Sequence, residues 1–194
     1  MYSLFIDTTS GLEIGLLDSS FTWLEYTSVK DLKPSEVIHY KIFELLKKYN
    51  LNITQIRCFV SSGPGSYTGM RLSEGLAQVF EMNGMKVYSF YHFEVPMLIG
   101  IIRGFWTTNA FKGQVFIYNW SEGISEKELI NKELLSISDA NLGFTIDNTE
   151  ANFTKLTSTK ELIKNQASKL FLKLLEKNMR VEPYYFRTLD EEFR

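Results

Sequence analysis

The sequence predicts a mixed-sheet α/β fold, and three observations support this prediction. Short apolar runs between polar turns, which are typical of strands, recur along the chain. Stretches with apolar residues three and four positions apart, which are typical of helices, alternate with those runs in the first half. The chain has 194 residues, of which 44% are hydrophobic, enough for one large domain or two small lobes. Alternating strands and helices followed by a smaller, strand-rich half indicate an α/β protein.

The first half begins with a predicted β-hairpin. Its two strands, at residues 3–6 and 12–17, flank a polar turn, and residues 22–29 form a third strand. Pro34 suits the entry of a helix, and Ser35 suits its cap or first turn. The remaining predicted elements are the helix to about Tyr49, a buried strand at 56–61, a helix from about Thr68 to Asn83, a strand at 86–90 and a helical segment at 92–100.

The second half begins near Gly104 and is predicted to be richer in strands. Its long amphipathic helix at residues 158–178 is predicted from apolar residues at helical spacing. The other predicted elements are strands at 105–110, 114–120 and 142–146, mixed structure at 125–135 and 138–141, and an extended tail at 181–187.

Composition and charge limit the classes of function. With a formal net charge of -2, the chain has no overall field that attracts nucleic acid, so any nucleic acid should be held mainly by another subunit. The one cysteine, Cys58, cannot form an internal disulfide, which fits a reducing cytoplasm. The first residues do not resemble a signal peptide, and no apolar run approaches the roughly 20 residues that span a bilayer. We therefore expect a cytoplasmic protein without a membrane partner.

A glycine-rich loop between a predicted strand and a predicted helix is the most informative segment. Gly63, Gly65 and Gly69 permit positive φ and close backbone approach, and Ser66 or Thr68 can cap the helix that follows. Such a loop could also bind a phosphate through free N–H groups. However, neither the lysine-containing phosphate loop nor the Gly-x-Gly-x-x-Gly dinucleotide pattern is matched. A tight turn with a helix cap is therefore favoured over a phosphate cradle.

The glycine loop also resembles the signature of a known family. Residues 63–71 (GPGSYTGMR) are similar to the Gly-Pro-Gly-Ser-Phe-Thr-Gly-Leu-Arg motif of TsaB (YeaZ-like) proteins. Three weaker matches lie before and after this motif, in the order that the family has them. The resemblance therefore covers nearly the whole chain. They are LFIDTT at 4–9, similar to the opening strand and its Asp-Thr-Ser/Thr turn; NAFKGQVF at 109–116, similar to an Asp-Ala-Arg-x-Gly-Glu-Val-Tyr hairpin; and EPYYFR at 182–187, similar to a Pro-x-Tyr-x-Arg tail.

The resemblance implies an actin-like ATPase (ASKHA, RNase H-like) fold with two lobes of mixed sheets, the second lobe reduced. The lobes are expected at residues 1–103, with the hairpin, the glycine loop and two interface helices, and at residues 104–194. Three positions depart from the family pattern: Pro34, Asn109 and Gln114 stand where His, Asp and Glu are usual.

The resemblance also implies a function. TsaB proteins are non-catalytic partner subunits for N6-threonylcarbamoyladenosine at position 37 of tRNA. The expected partners are a TsaD-like paralogue and, through the complex, a TsaE-like ATPase; tRNA is contacted only indirectly, and the chain alone is expected to form a homodimer. No cofactor of its own is expected, and ATP or ADP with Mg would bind only at the junction with the partner subunit.

Two predicted helices carry apolar residues beyond a single stripe, which indicates a second neighbour or a partner. The resemblance places a dimer contact on these helices. The residues expected in or near it are Val37, Tyr40, Phe43, Met70, Ser73, Ala77 and Phe80.

Candidate catalytic groups are few, and no catalytic or metal-binding residue is predicted. The two histidines, His39 and His92, do not form a His-x-x-x-His pair, and Cys58 lies in an apolar strand. Asp7 either orders the turn formed by Thr8 and Thr9 or is a vestige of a nucleotide site, because actin-like ATPases place an acid at the end of the first strand. The structural role is favoured.

Two other functions remain open. The first is a nucleotide-dependent or peptidase-like enzyme that uses the glycine loop and Asp7. The second is a self-dimer with a different partner.

Overall fold

The computed structural model describes residues 1–110, 113–134, 142–146 and 156–186. The strands are β1 Tyr2–Asp7, β2 Leu12–Leu17, β3 Trp23–Val29, β4 Ile56–Ser61, β5 Val87–Phe90, β6 Arg103–Asn109, β7 Gln114–Ser121, β8 Ile124–Asn131, β9 Gly143–Thr145 and β10 Leu156–Ser158. The α-helices are α1 Pro34–Lys48, α2 Tyr67–Met82, α3 Val95–Leu98, α4 Thr159–Asn165 and α5 Ala167–Glu176. Short 3-10 helices span Ile53–Gln55, His92–Glu94 and Lys132–Leu134.

The chain divides into two compact units. The first unit comprises Met1–Tyr91 and Ala167–Tyr185, and the second comprises His92–Gln166 and Phe186–Arg194. Each unit contains one five-stranded mixed sheet, so the predicted α/β class is confirmed. In the described part of the chain, no helix is long and apolar enough to cross a membrane.

The sheet of the first unit has the order β3-β2-β1-β4-β5. Strands β1, β2 and β3 form an antiparallel meander, whereas β4 and β5 run parallel to β1. Parallel strands need a crossover, and α2 supplies it between β4 and β5. The carboxyl ends of β1 and β4 therefore lie side by side, which brings the turn after Asp7 next to the glycine loop.

The two faces of this sheet are covered by different helices. Alternate apolar residues of β1, β2 and β4 pack with α1 and α2 in one buried cluster that contains Ile38, Leu76 and Ala77. On the opposite face, Phe171 of α5 packs on Phe59 with ring centroids 4.4 Å apart. A sheet covered on both faces explains why its strands read as almost continuous apolar runs.

The starts of α1 and α2 differ in how they are capped. Ser66 is the N-cap of α2, and its hydroxyl accepts a hydrogen bond from the Gly69 N–H at 3.3 Å. Pro34 occupies the first turn of α1, as predicted, but Lys33 is the N-cap and no side-chain cap is present. Ser35 therefore lies in the first turn and is not the cap.

The second unit is built on the sheet order β10-β9-β6-β7-β8. Strands β6, β7 and β8 are antiparallel, and β9 and β10 extend the sheet with parallel pairs. The predicted hairpin at 109–116 is the β6–β7 connection. Fully buried Phe93 packs against Trp106, Phe116 and Tyr118, so the segment that begins at His92 belongs to this unit's core.

Two predictions about the fold differ from the structure. The predicted lobes at 1–103 and 104–194 do not match the observed units, because residues 92–102 pack with the second sheet and residues 167–185 return to the first. The predicted helix at 158–178 is two helices with a break at Gln166, the last residue of the second unit before the chain returns to the first. Of the other predictions, those for residues 111–112, 135, 138–141 and 187 lie outside the described residues.

Candidate functional site

The turn after β1 is organised by the Asp7 carboxylate. Asp7 is fully buried, and its Oδ1 accepts hydrogen bonds from the Thr9 backbone N–H at 2.9 Å and from the Thr9 hydroxyl at 2.6 Å. The Thr8 hydroxyl donates to the Gly69 carbonyl oxygen at 2.7 Å. Asp7 thus orders the Thr8–Thr9 turn, and Thr8 ties that turn to α2.

The glycine loop packs directly against this turn. A Cβ on Gly65 would lie 2.5 Å from the Thr9 carbonyl oxygen, and a Cβ on Gly69 would collide with the Thr8 carbonyl oxygen. The Ser66 backbone N–H donates to the Thr9 carbonyl oxygen at 2.7 Å. Thr8 and Thr9 lie against the loop, and the Thr9 carbonyl oxygen accepts the hydrogen bond of the Ser66 N–H. The arrangement therefore fits a close-packed turn better than an open phosphate cradle.

Gly63 has a different conformational role from the other two glycines. Its φ is +100°, in the left-handed region that favours glycine, and a Cβ there would lie 3.1 Å from the Tyr184 carbonyl oxygen. The Thr68 side chain is exposed, so it is Ser66 that caps α2. The predicted loop residues therefore lie close together, and they pack against the backbones of Thr8, Thr9 and Tyr184.

One buried acid and a partly buried tyrosine lie near Asp7. Glu13 pairs with Asp7 across β1 and β2 and accepts a hydrogen bond from the Ser28 hydroxyl at 2.9 Å. Burial raises the pKa of Tyr26, and the charges of Glu13 and Asp7 raise it further. Within the described residues, no group of three or more His, Cys, Asp and Glu side chains could hold a metal ion. Chemically, this cluster is a partly buried hydrogen-bond network.

The histidines and the cysteine occupy separate environments. His39 is exposed on α1. His92 is fully buried with Nδ1 at 2.9 Å from the Thr159 hydroxyl, which donates to the Thr145 carbonyl oxygen at 3.0 Å, so Nδ1 is the donor to that hydroxyl. Cys58 is fully buried in the core, as predicted, and burial raises the pKa of its thiol, so it lacks the thiolate character of a nucleophile.

The segment Met179–Tyr185, here called the C-terminal strap, contacts the glycine loop and was not predicted to do so. The Tyr184 N–H donates to the Ser62 carbonyl oxygen at 2.8 Å, and the Tyr185 ring lies 5.0 Å from the Tyr67 ring. Arg180 anchors the strap to Glu74 and Glu81 of α2, each at 2.8 Å. The sequence signal was two glutamates seven positions apart on one helix, which place two acids on one face.

Four of the residues predicted at the partner contact require correction. Met70, Ser73, Ala77 and Phe80 are all buried inside the first unit, at 3% exposure or less. The reason is the register of α2: Gly69 lies against the Thr8 backbone, and the stripe of the helix that follows from it faces inward. The buried residues of α2 are Gly69, Met70, Ser73, Leu76, Ala77 and Phe80.

The remaining predicted contact residues lie on α1, and α2 carries exposed apolar residues of its own. Tyr40 and Phe43 are each 60% exposed, whereas Val37 is half-buried against the core. On α2, Val79 is 52% exposed and Met82 is 86% exposed. Tyr40, Phe43, Val79 and Met82 are here called the exposed helix face. Val79 and Met82 could have been found from the sequence, because they continue a line of residues three and four positions apart that begins at Leu72 and Gly75. This line runs beside the buried stripe of the helix.

Comparison with solved structures identifies the fold. The chain resembles YeaZ from Pseudomonas aeruginosa, with a TM-score of 0.64 and 14% sequence identity over 95% of this chain and 99% of that chain. A second structure, described as a protein with similarity to peptidase YeaZ from Pseudomonas aeruginosa, gives a TM-score of 0.60 and 15% identity over 96% and 99% of the two chains. No protein-family model and no curated protein matches the chain. The resemblance in the glycine loop thus agrees with the three-dimensional comparison, and the chain has the α/β fold of YeaZ over nearly its whole length.

Proposed function

We propose that the chain is a non-catalytic partner subunit that binds a TsaD-like protein in the synthesis of N6-threonylcarbamoyladenosine at position 37 of tRNA. The observation that carries the proposal is the exposed helix face: four large apolar side chains on two neighbouring helices, each more than half exposed. Large apolar side chains that are left this exposed are typical of surfaces that a partner covers. The YeaZ fold and the glycine-loop motif support the choice of a TsaD-like protein as that partner.

A non-catalytic role is supported by the way the glycine loop and Asp7 are used. The Asp7 carboxylate is occupied by the N–H and hydroxyl of Thr9, and Gly65 and Gly69 are occupied by backbone contacts with the same turn. A nucleotide-dependent or peptidase-like enzyme would need these groups to face a substrate. In the proposed complex, ATP or ADP with Mg binds only at the junction with the TsaD-like subunit.

The proposal assigns the other partners as well. A TsaE-like ATPase joins through the complex, and tRNA is held mainly by other subunits because this chain has a net charge of -2. In the absence of the TsaD-like subunit, the exposed helix face pairs with a second copy of the chain. An interface of ordinary size, roughly 1,600 Å² in total, is expected.

The test is to mix the chain with the TsaD-like protein of the same organism on a sizing column. A shared peak that elutes before either protein supports the proposal. The chain alone should hydrolyse neither ATP nor peptide, and its Tm should not move with ATP and magnesium. Separate elution of the two proteins, together with hydrolysis that is lost in Asp7→Asn, favours the enzyme instead.

A further inference from the structure

An open groove of about 730 Å³ lies along α1, lined by Glu25 of β3 and by α1 residues between Tyr40 and Lys48. Most of its charges are already matched. The Nζ of Lys48 lies 2.5 Å from Oε2 of Glu25, and the Nζ of Lys41 lies 2.8 Å from Oε2 of Glu44. The hydrogen bond from Lys41 lowers the pKa of Glu44, as expected for a carboxylate that is already paired.

Lys47 is the third lysine of the groove, and it belongs to neither of these two ion pairs. Its ammonium lies 5.8 Å from the centre of the Phe43 ring, and within the described residues it forms no ion pair with an acid. Phe43 and Tyr40 are each 60% exposed at the same groove. A fitting ligand therefore carries a carboxylate for the lysine and an apolar side chain for the rings.

We propose that this groove binds residues 189–193 of a second copy of the chain. Their sequence, LDEEF, places three carboxylates between two large apolar side chains, so it complements both the surplus lysine and the exposed rings. The lengths agree, because the helix rises about 12 Å from Tyr40 to Lys48 and five extended residues span at most about 17 Å. No other partner protein is required for this contact.

The contact has a consequence for the exposed helix face. A segment bound in the groove covers Tyr40 and Phe43, which also belong to that face. Binding of the segment and binding of another protein on α1 therefore compete, so the chain's own acidic segment limits access to the partner surface. This inference does not depend on the identity of the partner.

The experiment uses a fluorescein-labelled peptide of residues 188–194 and fluorescence anisotropy. The peptide is titrated into the full-length chain with its own segment neutralised by Asp190→Asn, Glu191→Gln and Glu192→Gln. Saturable binding is expected, weakened about tenfold or more by Lys47→Glu. Lys169→Glu is the matched control, since it makes the same charge change at an exposed position of α5, and it should leave the affinity unchanged.

Two results would overturn the inference: absence of saturable binding, or equal affinity for the Lys47→Glu and Lys169→Glu proteins. If the peptide binds to a surface outside the groove, its affinity for these two variants will be equal. Both lysines are exposed, so neither variant should lower the Tm, and this is checked for each protein. Because the assay contains no TsaD-like protein, failure of the peptide to bind leaves the proposed function standing.

Discussion

Arg180 and Glu74 form a two-bond ion pair in which Nη2 donates to Oε1 at 2.8 Å and Nη1 donates to Oε2 at 3.1 Å. Glu81, one heptad further along α2, accepts from Nε at 2.8 Å. Arg180 also donates to the carbonyl oxygen of Val181 at 3.0 Å. All three guanidinium nitrogens are thus used to hold the C-terminal strap against α2, the helix that carries both the glycine loop at its start and half of the exposed helix face.

Replacing Arg180 by Met should lower the free energy of unfolding by about 1–3 kcal/mol, because partly buried hydrogen bonds to charged groups are lost. The side chains of Arg180 and Glu74 are 27% and 18% exposed, so solvent screens the pair only in part. Arg180→Lys should give an intermediate loss, since it keeps the charge without the planar fork. Urea unfolding measures both, and a stability of Arg180→Met equal to that of the original chain would contradict the anchoring role.

Gly69→Ala should destabilise the chain by about 3 kcal/mol or more, because the new Cβ collides with the backbone oxygen of Thr8. Gly75→Ala is the matched control on the same helix, where a Cβ meets nothing within 4 Å. There, the gain in helix propensity should stabilise the chain by about 0.5–1 kcal/mol. Thermal and urea unfolding should therefore give effects of opposite sign. A similar, small effect at both positions would rule out close backbone packing at the glycine loop.

Ala77→Asp should unfold the chain or destabilise it by several kcal/mol, because Ala77 is fully buried and the new carboxylate has no partner there. Val79→Asp, two residues away, should change stability by about 1 kcal/mol or less, because Val79 is 52% exposed. Circular dichroism during urea unfolding compares the two. If Ala77→Asp were as stable as Val79→Asp, the assigned register of α2 would be incorrect.

The stability should fall as pH rises above about 10, and Tyr26 should contribute to the slope. Its pKa is raised in the folded chain from 10.0 by burial and by Glu13 and Asp7, so the folded state keeps the proton that the unfolded state releases. The contribution is full below pH 10 and decreases by about 1.4 kcal/mol per pH unit above it. In the Tyr26→Phe protein, the free energy of unfolding, measured in urea at several pH values, should decline less steeply with pH. An unchanged slope would contradict the raised pKa.

The sequence predicted the first sheet well because local signals and tertiary contacts agree there. The strand at 12–17 and the strand at 56–61 have the predicted bounds, and each is an apolar run between turn residues. The glycine loop was placed correctly between a strand and a helix, with Ser66 as one of two candidate caps. Its contact with the turn at Asp7 follows from parallel pairing of β1 and β4, which periodicity alone does not specify.

The inward and outward stripes of α2 were harder to assign. The helix carries apolar residues on both stripes, and Ser73 and Gly69 on the buried one are not apolar enough to mark it. Small side chains on a helix instead indicate close approach to a neighbour, which the apolar pattern does not reveal. Likewise, the contact between Arg180 and Glu74 joins residues 106 positions apart, and such a pair cannot be identified from spacing. For the same reason, the break at Gln166 was missed, since an uninterrupted apolar pattern crosses the point where the chain changes units.

The proposed contact between the exposed helix face and a TsaD-like subunit is tested by the dissociation constants of three forms of the chain. Isothermal titration compares the original chain with Val79→Asp and with Leu172→Asp, a control at a 49% exposed apolar position of α5. The proposed contact predicts that Val79→Asp weakens binding about a hundredfold or more, whereas Leu172→Asp binds like the original chain. Equal affinity of all three forms would contradict it.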